Sequence, residues 1–281
     1  MATVSALVLY PIKSCAGVTL AEATLTAAGL SANGVHDREW MVVGADGQFL
    51  TQREYPRMAL VAPTVLGPSL RVTAPGMAPL ELSLAHDAAA QARRVQIWDD
   101  LLPAADCGDA AAAWFTQVLG AVCRLVRFAP GVQRPTSTKW TGGVAAQTRF
   151  ADAYPLLLIG AASLADLNGR LAAAGRAALP MNRFRPNIVV DGLEPFEEDY
   201  VAAFSAPGID IAPVKPCARC PIPAIDQASG VPGPDPLDIL QAYRAKAQMD
   251  GAVCVGMNCI VIQGQGALLR VGQQLAVTLS F

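Results

Sequence analysis

The stretch LVAPTVLGPSLRVTAPG, at residues 60–76, decides the fold class. It contains two short runs, 60–65 and 70–73, that are rich in apolar and β-branched residues. The turn residues GPS at 67–69 separate the runs, and a second turn signal, APG, follows at 74–76. Short runs of this kind, bounded by Gly and Pro, are typical of β-strands. The stretch therefore predicts strands joined by tight turns.

The same pattern continues along the chain, which shows no internal repeat. Strands are predicted at 4–10, 18–25, 40–43, 60–65, 70–73, 80–84, 95–98, 155–159, 187–190, 209–214, 259–262 and 274–279. Many short strands with Gly/Pro turns favour a sandwich or barrel. The fold class is therefore mainly β (α+β), with two β-barrel-like domains, a few short helices packed outside, and a cleft between the domains. A soft boundary is predicted near residue 122.

Three helices and two connecting segments complete this prediction. Asp109 is expected to cap a helix at 110–119, Ser163 to start one at 164–174, and Asp235-Pro236 to open a third. The segment 134–143 is predicted to be an exposed loop. The segment 271–275 is predicted to be a hairpin that closes the second barrel.

Composition excludes several classes of protein. Of the 281 residues, 53% are apolar and 16% are charged, which indicates a globular chain. Its longest apolar stretch, near 155–160, is far shorter than the roughly 20 residues of a membrane-spanning helix, and no signal peptide is expected. The net charge of −2 gives no overall attraction to nucleic acid. Seven cysteines fit a cytoplasmic location, and two histidines argue against a site built on several histidines.

The strongest candidate for chemistry is the CxxC pair in KPCARCPIP, residues 215–223. A thioredoxin-like redox pair needs a helix N-terminus, which Pro221 and Pro223 oppose. A zinc or iron site needs two more cysteines, for which Cys254 and Cys259 are loosely spaced candidates. One cysteine of the pair could instead be the single protein thiolate on a metal whose other sulfurs come from a cofactor. Two buried, inert thiols are the fourth interpretation, and spacing alone favours it.

Several basic residues are candidate ligands of an anion. Lys13 and Ser14 follow the first predicted strand, and Arg38 lies between two acidic residues. Arg185 directly precedes Pro186 and an apolar strand, where a free charge would be awkward, whereas Arg183 is read as solvated. The planar guanidinium suits phosphate and flat heterocycles. No nucleotide-binding loop or hydrolase motif is present, and basic residues do not alternate with aromatics as in nucleic-acid binding.

Six segments occur together in the order of one known family. They are YPIKSC at 10–15, DREW at 37–40, NRFRPNI at 182–188, CARC at 217–220, the run from DPL to YR at 235–244, and GMNC at 256–259. On these segments the chain resembles MOSC-domain proteins with an N-terminal MOSC β-barrel, above all the mitochondrial amidoxime-reducing component and bacterial reductases of N-hydroxylated compounds. The resemblance covers essentially the whole chain. It implies an N-terminal MOSC β-barrel domain at 1–122 and a molybdenum cofactor-binding MOSC domain at 123–281.

The resemblance also implies a site for a molybdenum cofactor, Mo-molybdopterin. Cys220 matches the molybdenum ligand and is the candidate catalytic residue, with Cys217 a neighbour. Arg219 is expected to favour the thiolate of Cys220. Positions that contact the pyranopterin and its phosphate match Lys13, Ser14, Arg38, Arg185, Asn187, Ala218, Arg219 and Asn258.

Three departures from some members of the family accompany these matches. Asn258 stands where those members have a cofactor-contacting tyrosine, and Ala218 stands where they have a serine. Ala153 and Tyr154 replace a Thr-Ser pair. Details of cofactor binding and the substrate range are therefore open to change.

The implied activity is the reduction of a small N-hydroxylated compound, from N–OH to N–H plus water, at a molybdenum centre that cycles between oxidation states IV and VI. Since no plant-type [2Fe–2S] cysteine cluster follows the barrel, electrons are expected from a separate donor protein of ferredoxin, flavodoxin or cytochrome type with a reductase. Neither nucleic acid nor a membrane span is expected. The alternatives are a non-catalytic cofactor-binding or sulfur-carrier module and a structural zinc protein.

Overall fold

A computed structural model of the chain describes residues 1–280, with twenty strands and three α-helices. The first strands are β1 (Ala2–Leu9), β2 (Val18–Leu20), β3 (Glu22–Thr26), β4 (Gly29–Ala32), β5 (Val35–His36), β6 (Trp40–Gly44), β7 (Ala62–Leu66), β8 (Ser69–Thr73), β9 (Leu80–Ser83), β10 (Ala92–Ile97), β11 (Asp100–Asp106) and β12 (Cys123–Phe128). The others are β13 (Leu156–Gly160), β14 (Ile188–Asp191), β15 (Val201–Ala206), β16 (Ile209–Ala218), β17 (Ala245–Lys246), β18 (Ala252–Gln263), β19 (Leu268–Arg270) and β20 (Gln274–Leu279). The helices are α1 (Asp109–Leu119), α2 (Ala161–Ala173) and α3 (Leu237–Arg244).

The largest sheet closes into a seven-stranded barrel. Its strands follow the order β13, β14, β1, β20, β15, β16 and β18, and β18 pairs back onto β13. Strand β16 contains Pro213 and Pro216, and its register shifts beside both of them. Proline cannot donate a hydrogen bond to its neighbour strand, so it is tolerated at such irregular positions. The prediction of a mainly β fold is confirmed.

The N-terminal strands form three smaller sheets. These contain β10-β11-β12-β6, β19-β3-β4-β5 and β7-β8-β9. The stretch 60–76 contains the antiparallel pair β7 and β8, with Leu66 opposite Ser69 across the turn. The predicted strands there are confirmed to within a few residues.

Three strands cross the boundary predicted at residue 122, and one of them is β19, which pairs with β3. Strand β1 is part of the barrel wall between β14 and β20, although it precedes residue 122 in the chain. In the other direction, β12 pairs with β6 and β11 of the N-terminal sheets. The main hydrophobic cluster is likewise continuous between the two parts, because it joins Leu9 of β1 to Trp40 and Phe115. The domain boundary at residue 122 therefore stays a prediction, since strands from each side of it pair with strands from the other side.

One expectation for a connecting segment is wrong and another is confirmed only in part. The hairpin at 271–275 does not form, because β19 pairs with β3 whereas β20 pairs with β1 and β15. The segment 134–143 is only partly exposed, since Arg134, Thr136 and Thr141 are buried. Arg134 is drawn inward because its guanidinium donates to the backbone oxygens of residues 149, 151 and 152.

The helices occur where they were predicted, but two of their starts differ. Gly120 ends α1 with φ 68°, a left-handed conformation that glycine adopts readily. Asp109 is the first helical residue rather than the cap, which is Gly108. Ser163 lies inside the first turn of α2, where it is buried and its hydroxyl donates to Glu198. Asp235 precedes α3 and accepts a hydrogen bond from Leu237 N at 3.0 Å.

Candidate cofactor site

Strand pairing brings several predicted site residues to one end of the barrel. Ile188 at the start of β14 pairs with Leu7 near the end of antiparallel β1, and with Leu158 of parallel β13. The segment after β1 and the segments before β13 and β14 therefore leave the barrel on the same side. Strand β18 joins this end to β16, because Asn258 lies opposite Lys215.

A pocket of about 380 Å³ lies at this end and is lined by every predicted site residue. The volume falls in the usual range for small-molecule sites. Its nine predicted residues are Lys13, Ser14, Arg38, Arg185, Asn187, Ala218, Arg219, Cys220 and Asn258. Sequence reasoning missed other residues of the same pocket, among them Thr51, Arg53, Trp98 and Asp152. Their segments carry no motif, so only the fold brings them to the site.

Strained backbone concentrates around this pocket. Seven non-glycine residues among 1–280 have a positive φ between 47° and 64°. Four of them, Ser14, Arg38, Trp98 and Arg185, line the pocket. Each such residue costs about 1–3 kcal/mol and persists only when its surroundings hold it there, which is common at functional sites. The strain therefore marks the pocket independently of any motif.

The buried ring of Tyr10 brings two arginines close together. The guanidinium carbons of Arg38 and Arg185 each lie 4.3 Å from the centre of this ring. Gly17 permits the position of the ring, since a Cβ there would approach Tyr10 Cε1 to 2.7 Å. Burial raises the pKa of Tyr10, so the ring stays neutral between the two cations. Two like charges held this way favour an anionic ligand.

The two arginines differ in their partners. Arg38 donates to Asp37, whose pKa is raised by burial, and to Asn187 Oδ1 at 3.2 Å. Arg185 is 8% exposed and makes no ion pair or hydrogen bond within residues 1–280, and its Nη2 atom is buried without a partner. Burial lowers its pKa. An unpaired buried guanidinium is costly, so this side chain is the clearest sign of an anion site.

Asn187 uses its whole side-chain amide within the protein. Its Oδ1 atom accepts from Arg38 and from Leu157 N at 3.1 Å. Its Nδ2 atom donates to Val8 O at 3.2 Å and to Asp37 Oδ1 at 2.9 Å. Asn187 therefore ties three strands together and orients Arg38, although it also lines the pocket.

Lys13 is buried beside an acidic partner. Its ammonium donates to Phe150 O at 2.9 Å and to Asp152 Oδ1 at 2.5 Å. Burial lowers the pKa of Lys13, and the neighbouring carboxylate counteracts this effect. The pocket is nevertheless strongly cationic, because five basic side chains and one carboxylate line it: Lys13, Arg38, Arg53, Arg185 and Arg219, with Asp152.

The CxxC pair lies at the end of β16 and in the loop that follows. Arg219 donates through Nη1 to Cys217 Sγ at 3.2 Å and through Nη2 to Phe184 O at 2.8 Å. Its Nε atom is buried without a partner. The guanidinium therefore turns to the other sulfur, Cys217, and the expectation that Arg219 favours the thiolate of Cys220 stays a prediction. Within the described chain no hydrogen bond occupies Cys220 Sγ, which faces the same pocket.

The loop after Cys220 is held by an ion pair between a buried arginine and a partly exposed aspartate. Arg183, 9% exposed, donates to Asp226 Oδ2 at 2.7 Å and to Ala224 O at 3.0 Å. Asp226 also accepts from Ser229 N at 2.8 Å, so it both forms a turn and fixes the loop. The interpretation of Arg183 as a solvated side chain is wrong, since it is one of the groups that shape the pocket wall.

Two family models match this chain. Residues 1–122 match the family model of the MOSC N-terminal beta barrel domain, and residues 145–276 match that of the MOSC domain. The chain belongs to the MOSC-domain family. The family resemblance predicted from the sequence is confirmed.

The most similar MOSC relatives include mitochondrial amidoxime reducing components. Component 2 of Rattus norvegicus is 37% identical over 248 residues, which cover 86% of this chain and 72% of the relative. Component 2 of Homo sapiens is 36% identical and component 1 of Homo sapiens is 33% identical, each over 246 residues with the same coverage.

The three departures from the MOSC pattern have structural counterparts. Tyr154 donates its hydroxyl to Ser137 O at 3.2 Å, so this group is committed to the wall of the site. Asn258 lines the pocket and donates to Lys215 O at 3.3 Å. Ala218 is exposed at the pocket and offers no side-chain donor. Ala153 and Ala218 therefore contribute no hydroxyl to this pocket.

The pocket fits an anionic sulfur-ligated cofactor better than zinc. Arg185 Nη2 and Arg219 Nε are buried donors that an anion would satisfy, and Cys220 supplies a free thiol. No group of three or more His, Cys, Asp or Glu side chains among residues 1–280 could hold a metal. Cys254 and Cys259 are instead buried thiols, and burial raises the pKa of Cys254 to about 11. The zinc interpretation is therefore wrong for the described chain.

Among residues 1–280, none of the helices is long and apolar enough to cross a bilayer.

Proposed function

We propose that this chain reduces N-hydroxylated compounds, converting N–OH to N–H plus water, with a molybdenum cofactor held in the pocket. The observation that carries the proposal is the buried, unpaired guanidinium of Arg185 in the same pocket as the free sulfur of Cys220. The relatives are named for the reduction of amidoximes, which carry an N–OH group.

The proposed ligand of the metal is Cys220. Its sulfur faces the pocket on a loop fixed by Arg183 and Asp226, whereas Cys217 already accepts a hydrogen bond from Arg219. Soft metals prefer thiolate sulfur. Cys217 is therefore a neighbour that helps to place Arg219.

The anionic parts of the cofactor are assigned to the cationic wall. Arg185 and Arg219 offer unpartnered donors, Arg38 is held in place by Asp37, and Lys13 and Ser14 complete the wall. Asn187 positions Arg38, and the hydrogen bonds of its side-chain amide are already made within the protein. When bound, the cofactor supplies the two-electron chemistry, and the overall reaction takes up two protons and two electrons.

We assign the electron supply to a separate protein of ferredoxin, flavodoxin or cytochrome type, and we assign the reaction to the cytoplasm. All seven cysteines are free, which supports a reducing compartment. Purified protein that took electrons directly from NADH at a useful rate would contradict the assignment of a separate donor.

The metal content tests the cofactor assignment. Protein expressed with molybdate should contain about one molybdenum per chain, measured by elemental analysis, and should reduce benzamidoxime with a chemical electron donor. Molybdenum without any reduction would favour the sulfur-carrier alternative. Zinc at one per chain, with no molybdenum, would reject the proposal.

A matched pair of variants tests the ligand. Cys220→Ala should abolish reduction and lower the molybdenum content, because the metal loses its proposed protein sulfur. Cys217→Ala should keep most of the metal and lose far less activity, because it removes only an acceptor for Arg219. A larger loss in Cys217→Ala than in Cys220→Ala would reverse the assignment.

A further inference from the structure

Trp98 is an exposed aromatic residue at the mouth of the pocket. It occupies the turn between β10 and β11, lines the same pocket as Cys220, and is 44% exposed. Its φ is 53°, a left-handed conformation that Gly or Asn adopts at lower cost in such turns. Neither the exposure nor the backbone conformation benefits the fold, so the position is better explained by a role in the site.

Three contacts fix the plane of the indole ring. The ring of Phe49 packs against it with centres 5.0 Å apart and a tilt of 59°. The indole Nε1 donates to Asp152 Oδ1 at 3.3 Å. The guanidinium carbon of Arg53 lies over the ring, 5.1 Å from its centre.

Arg53 shows which face of the indole is accessible. It is exposed and makes no ion pair within residues 1–280, so nothing but a weak hydrogen bond to Thr51 and the ring itself holds its guanidinium. A flat group of a ligand can replace this mobile cation on the ring face. The indole is thus a prepared surface inside a pocket that is otherwise lined by charged groups.

We propose that Trp98 is a specificity-determining residue that stacks the planar part of the substrate, so that the site prefers aryl amidoximes to alkyl amidoximes. The inference rests on the proposed function. In an aryl amidoxime the ring is conjugated with the amidoxime carbon, and aromatic stacking is favourable beyond the area that it buries. Asp152 is a positioning residue for this surface, because it holds the indole N–H.

Benzamidoxime and acetamidoxime separate this role from catalysis, because both carry the same reacting group and only the first has a ring. With the molybdenum-loaded enzyme and a chemical electron donor, Trp98→Ala should raise KM for benzamidoxime about tenfold, a factor in the range of one aromatic stack. It should leave kcat, and both constants for acetamidoxime, within about twofold. Trp98→Phe keeps a ring and should raise KM for benzamidoxime by no more than about threefold.

Trp140→Ala is the matched control. Trp140 is a half-buried tryptophan beside Lys139 and Lys215, and it does not line the pocket. Its removal should leave both substrates unaffected. A rise in KM of equal size for both substrates in Trp98→Ala, or no rise for either, would overturn the inference.

Binding to the oxidised, molybdenum-loaded protein distinguishes failure of the inference from failure of the proposed function. Without electrons there is no turnover, and calorimetry reports affinity alone. Benzamidoxime should bind to the wild-type protein about tenfold more tightly than to Trp98→Ala. That result supports the inference even if no compound is reduced. Equal affinity in the two proteins, or no binding to the wild type, overturns it.

Discussion

Arg185 combines features that are each unfavourable for the protein on its own. It has a left-handed backbone with φ 57°, it is 8% exposed, and one of its donors is buried without a partner. Arg183, two residues earlier, is buried to the same degree but is paired with Asp226. Arg183 thus has an ionic partner within the fold, whereas Arg185 has none among residues 1–280.

This contrast predicts opposite effects of the same substitution. In protein prepared without molybdate, Arg185→Met should leave the melting temperature unchanged or raise it by a few degrees, because an uncompensated buried charge is removed. In protein expressed with molybdate, the same variant should lose most of its molybdenum.

Arg183→Met is the control, and it should destabilise the protein by about 1–3 kcal/mol, because it removes the donor to Pro223 O and Ala224 O and a partner of Asp226. Thermal unfolding and elemental analysis of both variants check these outcomes. A large loss of stability in Arg185→Met would assign Arg185 to the structure instead of the cofactor.

The sequence identifies the residues that line the pocket better than it identifies the contacts that their side chains make. The nine proposed positions belong to short motifs that can be recognised along the chain, and all nine line one pocket. Their partners are not readable in this way. The bond from Arg219 to Cys217 and the stacking on Tyr10 depend on side-chain directions that only the folded backbone fixes.

Among the elements, β18 depends on a glycine that breaks its regularity. Gly256 has φ 76°, and a Cβ there would lie 2.7 Å from Leu158 O and 2.5 Å from Ile159 Cγ1 of β13. The backbone oxygen cannot move aside, because β13 and β18 close the barrel. Glycine at this position therefore permits the close approach of the two strands, two residues before Asn258.

Gly256→Ala should destabilise the protein by about 2–4 kcal/mol, as the sum of left-handed strain and overpacking. Gly169→Ala is the matched control, since Gly169 is exposed within α2 and has open space around it. That change should stabilise the protein by up to about 1 kcal/mol, because alanine is the better helix former. Urea unfolding measures both, and equal effects of the two changes would contradict this account of β18.

The sequence did not predict every strand: the apolar β15 was missed, and so was β12, whose ion pairs are buried. Strand β12 escaped prediction because CRLVRF contains two arginines, which suggest a surface segment. In the structure Arg127 is buried against Glu39, and Arg124 is paired with Asp106. Their acidic partners come from other strands, so the sequence of β12 alone cannot show that it is internal.

At the scale of the whole molecule, buried thiols are spread through both parts of the chain. Burial raises the pKa of Cys15 and Cys107 to about 12 and that of Cys254 to about 11, from an ordinary value of 9.0. Above pH 9 the unfolded chain loses these protons while the folded protein keeps them. Stability is therefore fully present below about pH 9 and is lost as the pH rises towards 12.

The alkaline loss should be partly traceable to Cys15. Between pH 8 and pH 10, the unfolding free energy of Cys15→Ala should fall by about 1 kcal/mol less than that of the wild type, since one buried thiol is absent. Urea unfolding in the presence of a reductant measures the two differences. An identical fall in both proteins would show that Cys15 ionises equally well in the folded state.

The position of β1 has a consequence for how the protein is made. This strand is translated well before its barrel neighbours β14 and β20. At ordinary elongation rates the wait for β20 is on the order of tens of seconds. During that interval β2 is the only native strand partner that the nascent polypeptide offers to β1, so the apolar residues of β1 that face the barrel interior wait uncovered and are a natural binding segment for chaperones.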